Sequence, residues 1–83
     1  MSFEIKFSNQ AVKFIRRLSE NIKERIKAKF HEVAKDPFRY LEHYEGDNCY
    51  KLRIGDFRAL IDVDLSRNIL FIRVFDKRGR IYK

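Results

Sequence analysis

Glycine and proline are scarce, with three Gly and one Pro in 83 residues. A chain so poor in turn-formers and so rich in aromatics, with eight Phe and four Tyr, is neither disordered nor a linker. A single cysteine excludes an internal disulfide, and nothing in the sequence suggests secretion. Cys49, His31 and His43 have no spacing that suits a four-ligand metal site, so no metal and no cofactor is expected. The longest apolar run is Ile69-Leu70-Phe71-Ile72, far short of a membrane span. Glu4 and Lys6 interrupt the first apolar stretch, which argues against a signal peptide. The expectation is one cytoplasmic domain over residues 1–83 with no membrane partner. Its core will be thin, because short chains hide a smaller share of their surface.

What the chain has in excess is positive charge. Nineteen Lys and Arg oppose twelve Asp and Glu, a net of +7. Residues 1–48 hold ten basic and eight acidic side chains, whereas residues 49–83 hold nine and four. The surplus therefore sits in the last 35 residues. A basic surface on a small domain fits a polyanion such as nucleic acid, or an acidic protein partner.

Hydrophobic spacing divides the chain into elements. Phe3, Ile5 and Phe7 alternate with Glu4 and Lys6, the period of a half-buried strand. Ser8 and Asn9 can cap a helix carrying Ala11, Val12, Ile15 and Leu18 on one face. Ser19 can cap a second helix with Ile22, Ile26, Phe30 and Val33 as its stripe, ended by Asp36-Pro37. Residues 37–48 read as a loop, anchored by Phe38, Tyr40 and Leu41. Three strands then follow. Tyr50, Leu52 and Ile54 mark the first; Phe57, Ala59, Ile61 and Val63 the second; Leu70, Ile72 and Val74 the third. Gly55-Asp56 and Ser66-Arg67-Asn68 are the turns between them. Ile81-Tyr82-Lys83 is a candidate for a short final strand. The predicted fold is α+β in β-α-α-β-β-β order. An antiparallel sheet of about four strands carries the two-helix hairpin on one face.

If the helices cover one face, Lys51, Arg53, Arg58 and Arg73 alternate onto the other, with Lys77, Arg78 and Arg80 nearby. Guanidinium groups grip phosphate bidentately and stabilise charge building on its oxygens. In RNA the 2′-hydroxyl is an internal nucleophile, so strand cleavage needs positioning and two proton transfers but no activated water. Lys51 and Tyr82 are the candidate proton carriers. The competing reading is a solvated face in which Lys51, Arg53 and Arg58 pair with Asp62 and Asp64. Cys49 reads as a small buried apolar residue rather than a nucleophile.

The stretch from Tyr50 to Ile61, YKLRIGDFRALI, resembles the signature hairpin of the RelE/ParE toxin superfamily. Residues 72–82, IRVFDKRGRIY, are similar to that family's last strand and basic tail. RelE-like members are ribosome-dependent mRNA interferases that cut A-site mRNA by 2′-hydroxyl attack without a metal. The resemblance implies catalytic roles for Arg58 (transition-state charge), Arg78 (phosphate or leaving group), Tyr82 (orientation or deprotonation) and Lys51 (alternative base). It implies RNA binding by Arg53, Arg73, Lys77, Arg80 and Lys83, with Arg80 able to take the place of Arg78. An upstream family lysine falls on Cys49 here, which places more weight on Lys51. The chain stops one residue after Tyr82, so the C-terminal helix of some members is not expected. The implied partners are mRNA, ribosomal RNA and a RelB-like antitoxin in a hetero-oligomer. The antitoxin is expected to cover the basic face or displace the tail. The alternative is a ParE-like inhibitor of DNA gyrase without nuclease activity. A third possibility is an inactive RNA- or protein-binding module.

Overall fold

The computed structural model describes residues 2–43 and 49–77. The chain runs β1 (Glu4–Phe7), α1 (Asn9–Arg16), α2 (Glu20–Lys35), a 3-10 turn (Pro37–Arg39), β2 (Glu42–His43), β3 (Tyr50–Ile54), β4 (Phe57–Asp64) and β5 (Ile69–Lys77). Both helices begin where a serine can cap them. The Ser8 hydroxyl accepts from Ala11 N at 3.2 Å, and the Ser19 hydroxyl from Ile22 N at 3.4 Å. Each thereby satisfies one of the amides that a first turn leaves unpaired. The break between the helices is tight, with Arg17 N and Leu18 N donating three residues back to Phe14 O and Ile15 O. Asp36 ends α2, and Pro37 lies buried at the start of the next turn.

The strands form one sheet in the order β1-β5-β4-β3-β2. The predicted α+β layering holds, with both helices on one face, but the sheet is five-stranded and mixed rather than a four-stranded antiparallel one. β1 runs parallel to β5, because the two helices carry the chain across the sheet before the meander begins. β2 is the added strand. It occupies two residues of the stretch expected to be a loop and pairs antiparallel with Tyr50 and Lys51. Two residues give no period to read. The remaining expected strand, residues 81–83, lies outside the described residues.

The core lies between sheet and helices. Leu52, Ile61, Leu70, Ile72 and Phe75 of the sheet, with Val33 of α2, are fully buried. Phe14, Phe30, Phe57 and Phe75 form a ring cluster with centroids 5.6–5.9 Å apart. Cys49 is buried, as its reading as a small apolar residue anticipated. Leu41 is buried and Tyr40 packs on the core, anchoring the segment after the 3-10 turn. Phe38 instead stays half exposed, edge-on to Tyr50.

One correction concerns β5. Strict alternation would point Val74 inward and Phe75 outward. In the structure Ile61 pairs with Ile72, but Leu60 pairs with Val74, so one extra residue lies on β5 between them. This β-bulge reverses the alternation and turns Phe75 into the core. The gain is burial of a whole aromatic ring, a contribution of about 1.5–3 kcal/mol.

Candidate functional site

The face of the sheet away from the helices is laid out in cross-strand rows. Arg53 on β3 stands directly opposite Arg58 on β4, and Arg58 directly opposite Asp76 on β5. The next row is Glu42, Lys51, Leu60 and Val74. Beyond it come Asp62, Phe71 and Lys6, then Asp64, Ile69 and Glu4. Like charges placed opposite one another repel. Arg58 thus has a like charge opposite it on one neighbouring strand and an opposite charge on the other. Lys51, Arg53 and Arg58 gather at one end with Glu42 and Asp76 beside them, and Asp62, Asp64 and Glu4 stand at the other with Lys6.

The bulge leaves Arg73 on this face, but its Nε lies 3.1 Å from Asp62 Oδ2. Arg73 accordingly belongs to the middle of the sheet and to an ion pair rather than to the cationic end. Asp64 is engaged by its own turn. Its Oδ1 accepts from Ser66 Oγ at 2.8 Å and from the amides of Ser66 and Arg67, both at 3.1 Å. The Ser66 hydroxyl bond, reinforced by the Arg67 amide, holds the Asp64 carboxyl below its usual pKa. Asp62 thus engages Arg73, and Asp64 its own turn.

Lys77 is exposed at the end of β5. Its register partner is Phe57, so it alternates toward the helix side rather than toward Arg58. Arg78, Arg80, Tyr82 and Lys83 lie outside the described residues. The structure therefore brings Arg53, Arg58 and Lys51 together, and sets Arg73 and Lys77 apart from them. It also supplies two cations that sequence reasoning missed. Lys13 of α1 and Arg17, which caps its C-terminal end, line a shallow hollow of about 250 Å³ with Gln10, Phe14 and Asp76. Their spacing of four along one helix face was legible; that α1 lies along β5 was not.

A second feature lies on the helix side. The two helices are splayed, and a groove of about 560 Å³ opens between them over β1. Ile5, Phe7, Val12, Ile15, Ile26 and Phe30 line it, with Arg16, Lys23 and Lys27 among its remaining residues. It borders β1, which among the described residues pairs with β5 alone.

Comparison with solved structures identifies the fold as that of RelE-type toxins. A chain of the RelBE2 toxin–antitoxin complex of Mycobacterium tuberculosis superposes with a TM-score of 0.81 at 20% identity, covering 94% of this chain and 100% of that one. A chain of the intact Escherichia coli RelBE toxin–antitoxin complex gives 0.78 at 23% identity, covering 95% and 100%. One from the archaeal RelE–RelB complex of Pyrococcus horikoshii gives 0.77 at 23% identity, covering 96% and 99%. No curated protein matches the sequence. Residues 5–81 match the family described as ParE toxin of type II toxin–antitoxin system, parDE. The chain belongs to that family and to the wider RelE/ParE superfamily of type II toxins.

Proposed function

We propose that this toxin is a ribosome-dependent mRNA endoribonuclease working in the cytoplasm. The observation that carries the reading is the facing pair Arg53–Arg58 with Lys51 in the next row, on a sheet face that neither α1 nor α2 covers. Two guanidinium groups held on rigid strands suit one phosphodiester and the charge that builds on it in the transition state. In the proposed reaction the 2′-oxygen attacks phosphorus and the bond to the 5′-oxygen breaks. The 2′-hydroxyl proton passes to Tyr82 as its phenolate or to Lys51 as its free amine, and the departing 5′-oxygen takes up a proton from solvent. The products are a cyclic 2′,3′-phosphate and a 5′-hydroxyl, with no water consumed. Arg58 stabilises the phosphorane charge, and Arg78, or Arg80 in its place, supports the leaving side. Lys13 and Arg17, with Lys77, Lys83 and Arg73, extend the contact to ribosomal RNA phosphates.

A cognate RelB-like antitoxin completes the proposal, matching the complexes in which the similar folds were solved. The apolar groove between α1, α2 and β1 suits an amphipathic segment of that protein. Arg16, Lys23 and Lys27 would meet acidic residues on its flanks. The second reading is gyrase inhibition without cleavage, favoured by the ParE description of the matched family. Incubation with programmed ribosomes, and separately with gyrase on supercoiled plasmid, decides between them. Cut mRNA supports the first; trapped or inhibited gyrase with intact mRNA supports the second and removes the first.

A further inference from the structure

β1 stops at Phe7, and its ladder with β5 closes where Ser8 N donates to Ile72 O at 2.9 Å. β5 runs five residues further, through the bulge and on to Lys77. That stretch of its edge is covered by the start of α1 instead of a strand. Ser8 Oγ donates to Arg73 O at 2.6 Å. Gln10 Nε2 donates to Phe75 O at 3.0 Å, while Phe75 N donates to Gln10 Oε1 at 2.9 Å. A carboxamide carries a donor and an acceptor side by side, so it can replace one peptide unit of the missing strand. Glutamate lacks the donor, methionine lacks both, and asparagine is a methylene short. Gln10 is the only glutamine in the chain.

We propose that Gln10 is a positioning residue for Arg58. The clamp grips Phe75, whose successor Asp76 is the residue directly opposite Arg58. Without the bulge, Phe75 would face Arg58 and Asp76 would face Phe57. The clamp just beyond the bulge therefore fixes which of the two stands beside the guanidinium.

The catalytic part of this inference rests on the nuclease reading of the cationic face, so the test has two arms on the full chain. In the first, NMR follows the Phe75 amide and the Arg58 Nε–H in wild type, Gln10→Met and Gln10→Glu. Gln10→Met should speed exchange of the Phe75 amide by about tenfold or more and shift or broaden the Arg58 resonance. Unchanged exchange, or faster exchange with an unmoved Arg58 signal, overturns the proposal. In the second arm, single-turnover cleavage is measured on programmed ribosomes well below the melting point. The saturating rate should fall about tenfold or more, with the half-saturating ribosome concentration unchanged, because small misplacements are costly at a reacting centre. A wild-type rate in a clamp-deficient variant overturns it. If wild type itself cuts nothing, the nuclease reading fails while the first arm still decides the clamp. Should Gln10→Met not fold, Gln10→Glu carries both arms. It keeps the acceptor but sets a carboxylate oxygen against Phe75 O, so its Arg58 signal and its rate should move in the same directions.

Discussion

Arg58 carries the strongest single-residue expectation. It stands half-buried between a second arginine and an aspartate on neighbouring strands. In the proposed reaction its guanidinium meets the phosphate as negative charge grows. Arg58→Ala should lower single-turnover cleavage by about 10²–10³-fold, the usual cost of removing one electrostatic donor. Arg58→Lys keeps the charge but loses the planar fork, and should recover only part of the rate. Full activity in Arg58→Ala would take this residue out of the site. A second residue-scale expectation concerns Asp64. Hydrogen bonds from Ser66 and Arg67 lower its folded pKa below the unfolded value. The stability this contributes is present above the unfolded pKa and is lost as pH falls through the lowered folded value. Ser66→Ala removes the largest of these effects, so the Asp64 titration followed by NMR should move up toward an ordinary carboxylate. An unmoved titration would assign the lowering to the backbone amides alone.

At the scale of elements, the β3–β4 hairpin turns on Gly55. Ile54 pairs with Phe57, so the loop is two residues long, and Gly55 has φ +56°. A Cβ there would meet nothing within 4 Å, so Gly55→Ala costs only the left-handed backbone, about 1–2 kcal/mol in chemical denaturation. A larger loss would mean that the turn also fixes the Arg53–Arg58 register. This hairpin was readable because alternation and a Gly-Asp turn agree. The helix starts at Ser8 and Ser19 and the stop at Asp36-Pro37 were readable for the same reason: capping chemistry is local. β2 was not, since two residues carry no period. Nor was the end of β5, where Val74 and Phe75 read one way by alternation and lie the other way round a bulge. That reversal rests on tertiary contacts, the volume Phe75 fills among Phe14, Phe30 and Phe57 together with the Gln10 clamp on its backbone. Phe75→Ala should accordingly cost about 3–5 kcal/mol, where strict alternation would have made it a mild surface change. The site divides along the same line. Facing residues on adjacent strands, Arg53 and Arg58, follow from periodicity. The diversion of Arg73 to Asp62 and the approach of Lys13 and Arg17 depend on how β5 bends and where α1 lies.

At the scale of the molecule, the two surfaces differ in chemistry and lie on opposite layers. The open sheet face is polar and cationic at one end; the groove between the helices is mainly apolar. Their binding energies should respond differently to salt. Each RNA phosphate neutralised on the sheet face releases condensed counterions, which makes ribosome affinity fall steeply with ionic strength. Arg53→Ala should weaken ribosome binding and reduce the slope of log K against log salt by about one unit. Antitoxin seated by apolar burial should show a much shallower slope, traceable to the exposed Arg16 and Lys27 and the half-buried Lys23. Ile15→Glu places a carboxylate among the apolar groove residues and should weaken antitoxin binding by about 10²-fold, the scale of one unpaired charge in a desolvated contact. The same variant should leave ribosome affinity and its salt slope unchanged, because Ile15 lines the apolar groove whereas Lys13 and Arg17 line the separate hollow beside Asp76. Isothermal titration with the antitoxin and ribosome co-sedimentation, each at several salt concentrations, measure both surfaces in one protein. If Arg53→Ala and Ile15→Glu affected both partners equally, the two surfaces would be one, and the antitoxin would have to compete directly for the sheet face.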